Sequence, residues 1–422
     1  MKGDQVTFKD VATTILGMAL REGSQSCRID VVFDVYKENS IKNSERSLRC
    51  AESGHQLQAI TGTQMVRQWG SFLTKVSNKT SLITFLVHEW RKMEYRAKLR
   101  GKVLYATVND QCYRITSQDS EEVSALQCQQ EEADGHLLLH AAHAAKEGYQ
   151  SVVICSEDTD VFIMSLAFCE EIEAPLFQKC GPKTRTRLVD VRKIAATVGM
   201  EVSRALIGLH AYTGCDSVSA FAGKGKTSAL KLLTSNKDTQ DTFFELGQEW
   251  DLHQELMDKL ETFTCHLYAP TASTTKVNEL RYHLFCAKKG EVESHQLPPC
   301  KDCLTKHAQR ANYQAGIWRR CLEQNPEVPS PVGRGWKMDR EEECEQLVVH
   351  WMEGQPAPNV VLDLLACNCP KKCSLPRCVC VANGLRCTDM CRLAECENQA
   401  STSDSEESSD EDVEELENVD DY

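Results

Sequence analysis

The chain has 422 residues, of which 41% are hydrophobic and 26% charged, an ordinary globular balance with room for two or three domains. Its net charge of −14 misleads, because Asp404–Asp421 supplies eleven acids without a Lys or Arg and leaves residues 1–400 at −3. An acidic total therefore does not exclude a nucleic-acid partner. The opening Met-Lys-Gly-Asp-Gln carries no apolar h-region and no run reaches membrane-spanning length, so no membrane partner and a reducing, intracellular compartment are expected. Eight of the 22 cysteines fall within Cys367–Cys396; the scattered remainder reads mostly as small buried hydrophobes.

Val11–Arg21 has a helical pattern. Arg28–Asp34 is an apolar run ending in a carboxylate, either a strand with an acid at its tip or the start of a turn. Lys42, Arg46 and Arg49 follow at helical spacing, as a phosphate-facing row or a solvated face. Residues 64–101 are expected to be helical, most clearly Leu82–Arg91. The basic stretch Arg91, Lys92, Arg96, Lys98, Arg100 and Lys102, with Tyr95 inside it, could track a phosphate backbone or form a plain solvated face. Val103–Val108 and Gln111–Ile115 flank Asn109-Asp110, a hairpin signal.

Glu131-Glu-Ala-Asp134 opens an Ala/Leu-rich helix running to about Lys146 and stopped by Gly148. Val152–Cys155 then reads as a buried parallel strand, with Asp158 and Asp160 at its C-terminal end. Those two acids either cap the following helix or line a ligand site, since ligands bind outside the carboxyl ends of strands in α/β sheets. Leu176–Lys179 and Thr186–Val189 suggest a second hairpin, Asp190 a cap for the helix Val191–Val198, and Glu201–Tyr212 another helix. Gly225-Lys226-Thr227 imitates the end of a phosphate-binding P-loop, but position 220 is Ala and a helix precedes it, so an NTPase is excluded.

From 236 to 325 the chain is polar and mostly helical. Leu304, Ala308, Ala311, Ala315, Trp318 and Leu322 repeat at 4-3-4-3-4 and mark a packed helix. His295, Cys300, Cys303 and His307 form a candidate Cys₂His₂ zinc set, although Pro298-Pro299 and helix-start chemistry also account for the segment. Pro326, Pro329, Pro331, Gly333 and Gly335 signal a linker. Residues 402–422 are rich in Ser, Asp and Glu, the composition of a disordered acidic tail for basic protein partners, with serines open to phosphorylation.

The acids form an order. Glu132-Ala-Asp134 with its Ala-rich helix, then Ser156-Glu-Asp-Thr-Asp160, Gly214-Cys-Asp216 and Gly223-Lys-Gly-Lys226 before a helix resemble the flap-endonuclease/XPG-type nucleases of the PIN-like fold. Val32-Phe-Asp34 with Lys42 and Arg46 or Arg49 is similar to that family's second acidic motif and the basic helix beyond it. The resemblance spans about Asp30–Leu233. It implies a parallel-sheet α/β core and a two-metal phosphodiesterase acting on DNA or RNA. Asp34, Glu132, Asp134, Asp158, Asp160 and Asp216 would hold two Mg²⁺ or Mn²⁺ ions, and Lys42 with Arg46 or Arg49 would steady the scissile phosphate. Gly223, Lys224, Gly225 and Lys226 would form a helix–two-turn–helix element that grips duplex phosphates with a monovalent ion such as K⁺. Two features depart from the family. Its first strand, with a further metal-binding Asp, has no counterpart before Asp30, and the helix after Glu132 is about a turn longer than usual.

Cys367, Cys369, Cys373, Cys378, Cys380, Cys387, Cys391 and Cys396 resemble a tesmin-type CXC module. Such density in a reducing compartment points to zinc–thiolate coordination, since neighbouring Cys-x-Cys residues pair poorly as disulfides. The family pattern has nine cysteines around three zinc ions; Leu393 stands in the ninth position, so two or three ions are expected. The resemblance makes the module DNA-binding, through Lys371, Lys372, Arg377, Arg386 and Arg392.

The expected organisation is a nuclease core lacking its first strand over 1–235, a helical extension over 236–325, a linker over 326–366, the zinc module over 367–398 and an acidic tail over 399–422. The expected function is a nuclear, metal-dependent, structure-specific nuclease. The alternative is a catalytically inactive PIN-like scaffold that binds DNA through its zinc module. A zinc-dependent interaction protein with a recruiting tail would leave the ordered acids unexplained.

Overall fold

The computed structural model describes residues 6–36, 40–42, 60–65, 68–182, 184–287, 296–339, 346–354, 367–375, 377–382, 387, 391–393 and 396–398. Arg46, Arg49, His295, Arg386 and the acidic tail lie outside them. The chain forms two compact units, Met1–Trp351 and Met352–Tyr422.

The first unit opens with α1 (Phe8–Glu22), whose start is fixed by a capping box in which Thr7 and Asp10 each satisfy the other's backbone N–H. Strand β1 (Arg28–Val31) pairs in parallel with β2 (Val103–Val108). Between them run α2 (Trp69–Thr74), α3 (Val76–Trp90) and α4 (Met93–Arg96). β2 turns back as β3 (Gln111–Ile115) through Asn109 at φ 53°, a left-handed position that Asn tolerates, and β4 (Ser120–Glu122) completes the sheet. Phe8, Leu86, Trp90, Leu104 and Ile115 share one core against this sheet, and the Trp90 indole N–H donates to the Ala12 carbonyl at 3.0 Å.

A second sheet follows α5 (Ala133–Lys146). It contains β5 (Val152–Cys155), β6 (Leu176–Cys180) and β7 (Arg187–Asp190), with α6 (Thr159–Phe168) crossing from β5 to β6. The expected parallel α/β sheet is therefore two small mixed sheets among the described residues. Each has one parallel pair joined by a helical crossover and antiparallel strands joined by hairpins. The short connections at Asn109-Asp110 and Gly181–Thr186 dictate this, because a parallel return needs a dozen or more residues.

After α7 (Val191–Val198), α8 (Met200–Thr213) becomes the central helix and is buried over most of its length. Gly208 allows the closest approach: a Cβ there would lie 2.2 Å from the Phe243 carbonyl oxygen. Around α8 stand α9 (Lys226–Ser235), α10 (Lys237–Glu245), α11 (Gln254–Tyr268), α12 (Val277–Ala287) and α13 (Lys301–Arg319). The segment read as an extension thus belongs to the same core as α6 and α8. In α13 the spaced residues Leu304, Ala308, Ala311 and Ala315 are fully buried, whereas Leu322 lies beyond the helix end.

The expected linker is not one as far as residue 351. β8 (Trp336–Asp339) and β9 (Gln346–Val349) pair antiparallel, and Trp336 is fully buried against Tyr313. The guanidinium of buried Arg310 donates to the carbonyls of His350 at 2.9 Å and Gly335 at 3.3 Å, fastening this hairpin to α13. Proline and glycine signal turns, and here the turns lead into a packed hairpin rather than a tether. No described helix is long and apolar enough to cross a membrane.

The second unit is built around its eight cysteines, with Val381 and Leu393 packed on them and, among the described residues, one short helix, Val379–Ala382.

Candidate functional site

The first unit gathers all six predicted acids, from four segments. Asp34 follows β1, and its carboxylate accepts from the backbone N–H of Ala133 at 3.0 Å. That contact brings the β1 end against the start of α5, where Glu132 is the N-cap residue and Asp134 sits in the first turn. Asp158 caps α6 by accepting from the Asp160 N–H at 2.9 Å, so one of the two residues at the β5 tip is indeed a cap. Asp160 is buried. Asp216 follows α8 and is exposed.

Lys42 reaches into this group, its ammonium 3.5 Å from Glu132 and 3.7 Å from Asp134. Burial works against its charge, yet Glu132, Asp134, Asp34 and Asp216 together hold its pKa well above the lysine range. Burial pushes Asp134 up to about 7, Lys42 opposes the shift, and the charges of Glu132, Asp158 and Asp160 add to it. Glu132 is likewise raised by burial, against Lys42 and a hydrogen bond from the Trp318 indole, with Asp160 and Glu131 pushing further. Glu132, Asp134, Asp158 and Asp160 are therefore linked by their charges, and Asp34 and Asp216 join them through Lys42. Among the described residues, however, the groups whose donor atoms all fall within 4.8 Å are cysteine sets. The carboxylates stand further apart.

Asp160 is held by a residue the sequence did not flag. His210 of α8, also buried, lies 2.7 Å from Asp160 through Nε2 and 2.9 Å from the Lys226 ammonium through Nδ1. An ammonium can only donate, so Nδ1 accepts and Nε2–H donates to Asp160. The His210 ring also lies 5.6 Å from that of Trp318, whose indole reaches Glu132. A histidine within the apolar run Ala205–Ala211 was the one available signal. Partners from α6 and α9 are invisible to local periodicity.

The Gly223–Lys226 turn is where it was expected, between α8 and α9, with Gly223 at φ 67°. Its lysines reach inward: Lys226 to His210, and Lys224 to the Tyr268 carbonyl at 3.4 Å and over the Tyr268 ring. The basic stretch after α3 is also partly engaged in the fold. Arg91 stacks on Tyr113, Arg96 donates to the Thr116 carbonyl and Lys102 to those of Gly23, Ser24 and Ser26.

Asp30 is a further acid on β1, clamped by both arms of Arg28 at 2.8 Å and by His140 at 2.7 Å. Burial favours its neutral form, but those bonds outweigh it and hold the carboxyl below the usual range. This network ties α5 to β1. It uses a buried histidine of the helix that the sequence marked only as Ala/Leu-rich.

The Cys₂His₂ set is not assembled among the described residues. His307 lies 2.8 Å from the Tyr212 carbonyl through Nε2, and burial pushes its pKa down to about 4. Cys300 serves as the N-cap residue of α13.

In the second unit the thiols converge. Cys367, Cys380, Cys387 and Cys391 form one set, Cys367, Cys369, Cys373 and Cys378 a second, and Cys373, Cys387 and Cys396 a third. All eight are free thiols. Sulfur separations of 3.5 Å for Cys367–Cys373, 3.9 Å for Cys367–Cys387 and 3.7 Å for Cys380–Cys391 approach the roughly 3.8 Å edge of a Zn–S₄ tetrahedron with bonds of about 2.3 Å. The Val381 backbone N–H lowers the Cys378 pKa, whereas Cys369, Cys373 and Cys380 are raised, chiefly by burial, so zinc binding would have to displace their protons. The cluster is fit to hold zinc. No family model, curated protein or solved structure matches the chain.

Proposed function

We propose that the chain is a metal-dependent, structure-specific nuclease of PIN-like type, nuclear and acting on DNA in preference to RNA, whose cysteine module is a zinc-held DNA-binding element. The observation that supports this reading is that Asp34, Glu132, Asp134 and Asp216 act on a single lysine, Lys42, while Asp158 and Asp160 act on Asp134, so that four segments far apart in sequence meet. Concentrated carboxylates of raised pKa are a recurring feature of cation and catalytic sites. Asp34, Glu132, Asp134, Asp158, Asp160 and Asp216 are the residues that would hold Mg²⁺ or Mn²⁺, which when bound activates water and stabilises the leaving oxygen of an in-line displacement.

The chain's own groups have distinct tasks in this reading. His210, its tautomer fixed by Lys226, orients the Asp160 carboxylate, as outer-shell partners of metal ligands do. Lys42 neutralises Glu132 and Asp134 in the free protein and, when a metal takes those carboxylates, turns to the scissile phosphate. The Gly223–Lys226 turn and the start of α9 offer backbone N–H groups to duplex phosphates, with a monovalent ion such as K⁺.

The test is cleavage of flapped, nicked and single-stranded DNA, and of single-stranded RNA, in Mg²⁺ by the full chain and by Asp158→Asn. Asparagine caps helices as well as aspartate, so the variant keeps its fold. Loss of cleavage by about a hundredfold or more is expected, the scale of removing one charge-stabilising group. Equal background from both proteins would sink the nuclease reading. A second reading, an inactive PIN-like DNA-binding scaffold, is favoured by the ion pairs of Lys42 with Glu132 and Asp134, which already neutralise part of the cluster. DNA binding without cleavage, and without a Mg²⁺-dependent rise in melting temperature, would select it.

A further inference from the structure

The three cysteine sets overlap in a definite way. Cys367 belongs to the first and second, Cys373 to the second and third, and Cys387 to the first and third. Each pair of sets shares one thiol, which is the connectivity of a three-membered ring with a bridging thiolate between every two metals. Cys380 and Cys391 complete the first set, and Cys369 and Cys378 the second. Among the described residues the third has Cys396 alone beyond its two bridges, three sulfurs where a closed structural zinc site takes four donors.

The surroundings of the third set bear on this gap. Leu393, two residues after Cys391, packs against the cluster and offers no donor. Asn398 accepts from the Cys387 backbone N–H at 2.9 Å and donates its amide N–H to the Cys387 sulfur at 3.2 Å. A side chain donating to a bridging sulfur supports that thiolate from outside the metal shell. Cys396 is also the least buried of the eight, which gives the third set access to water.

Where the resemblance implies a cluster of three zinc ions, we propose that the overlapping sets of four, four and three thiols make its members unequal in this chain. Two ions are closed by four cysteines each, and the third, on Cys373, Cys387 and Cys396, keeps its fourth position for an exchangeable water. Three protein ligands plus water is the arrangement of an open zinc site. The third ion is accordingly the one that an external chelator or an incoming donor reaches first. The inference rests on the zinc reading of the cysteines and is independent of the nuclease reading.

The test uses the full chain purified with zinc, with total metal measured and its release to a chromophoric chelator followed in time. Three zinc ions per chain are expected, one leaving in a separate fast phase. Cys396→Ser should lose that phase and bind one ion fewer. Leu393→Cys supplies a ninth thiolate and should keep three ions while abolishing the fast phase. Cobalt substitution gives a second readout: one of three ions in the parent chain should show the weaker charge-transfer intensity of a three-sulfur site, and none in Leu393→Cys. Three ions released in a single phase, or two ions with no change in Cys396→Ser, would overturn the open third site while leaving the zinc module intact. A chain purified without zinc would overturn the metal reading as well.

Discussion

Asp134 shows how much a single side chain can reveal about the carboxylate cluster. Its carboxyl ordinarily titrates near 3.8 and is pushed by burial to about 7. Between those values the folded chain binds more protons than the unfolded one, so this group's contribution to stability falls as pH rises from 3.8 to 7 and is constant above. Asp134→Asn in metal-free protein is therefore expected to raise stability by roughly 1–3 kcal/mol at pH 7.5, with the gain shrinking toward pH 4. Urea unfolding at the two pH values measures it. Saturating Mg²⁺ should reverse the order at pH 7.5, because a cation favours the ionised parent carboxylate over the neutral amide. A variant no more stable than the parent at pH 7.5 would mean that Lys42 fully compensates the cluster. At this scale the sequence named the six acids and Lys42. It did not name His210, and it read Trp318 only as a packing residue, because their contacts with the acids are made between elements.

The element that decides the architecture is α8. Its buried length places His210 toward Asp160, Tyr212 among Phe221, Phe243 and Phe263, and Gly208 against α10. The approach at Gly208 leaves no room for a methyl group, since the obstacle is the Phe243 backbone carbonyl and not a side chain able to move aside. Gly208→Ala should cost about 3 kcal/mol, at the upper end for overpacking, seen as a fall in the chemical-denaturation midpoint. Unchanged stability would show that α10 can withdraw from α8. The bounds of β2, β3, β5 and α7 were legible to within a residue, because hairpin loops, capping aspartates and β-branched runs are local signals. Docking of α10, α11 and α13 onto α8 was not legible, since periodicity marks a buried face but not what covers it.

For the molecule as a whole, the boundary at Trp351 and Met352 separates two sources of stability. The first unit has extended apolar cores. The second has its cysteines as its core, and zinc held there would supply its folding energy. A chain ending at Trp351 should keep the cooperative thermal transition of the first unit within about 2 °C, a shift worth about 1.5 kcal/mol at this size. A zinc chelator should leave that transition unchanged. Scanning calorimetry of the truncated and full chains decides it; a large drop on truncation would mean that the second unit stabilises the first.

The sequence by itself determined the chemistry available: six acids in a fixed order, a Gly-Lys-Gly-Lys turn, eight clustered cysteines and the period of each helix. These are local properties, set by side-chain type and spacing. Only the tertiary structure decided that β1, α5 and the end of α8 bring carboxylates to Lys42 while those of α6 act on Asp134, that Trp336–Asp339 and Gln346–Val349 pair as strands, and that the thiols divide into overlapping sets of four, four and three. Each of these depends on residues distant in the chain becoming neighbours, and proximity of that kind is fixed by how buried faces fit together rather than by any one stretch of sequence.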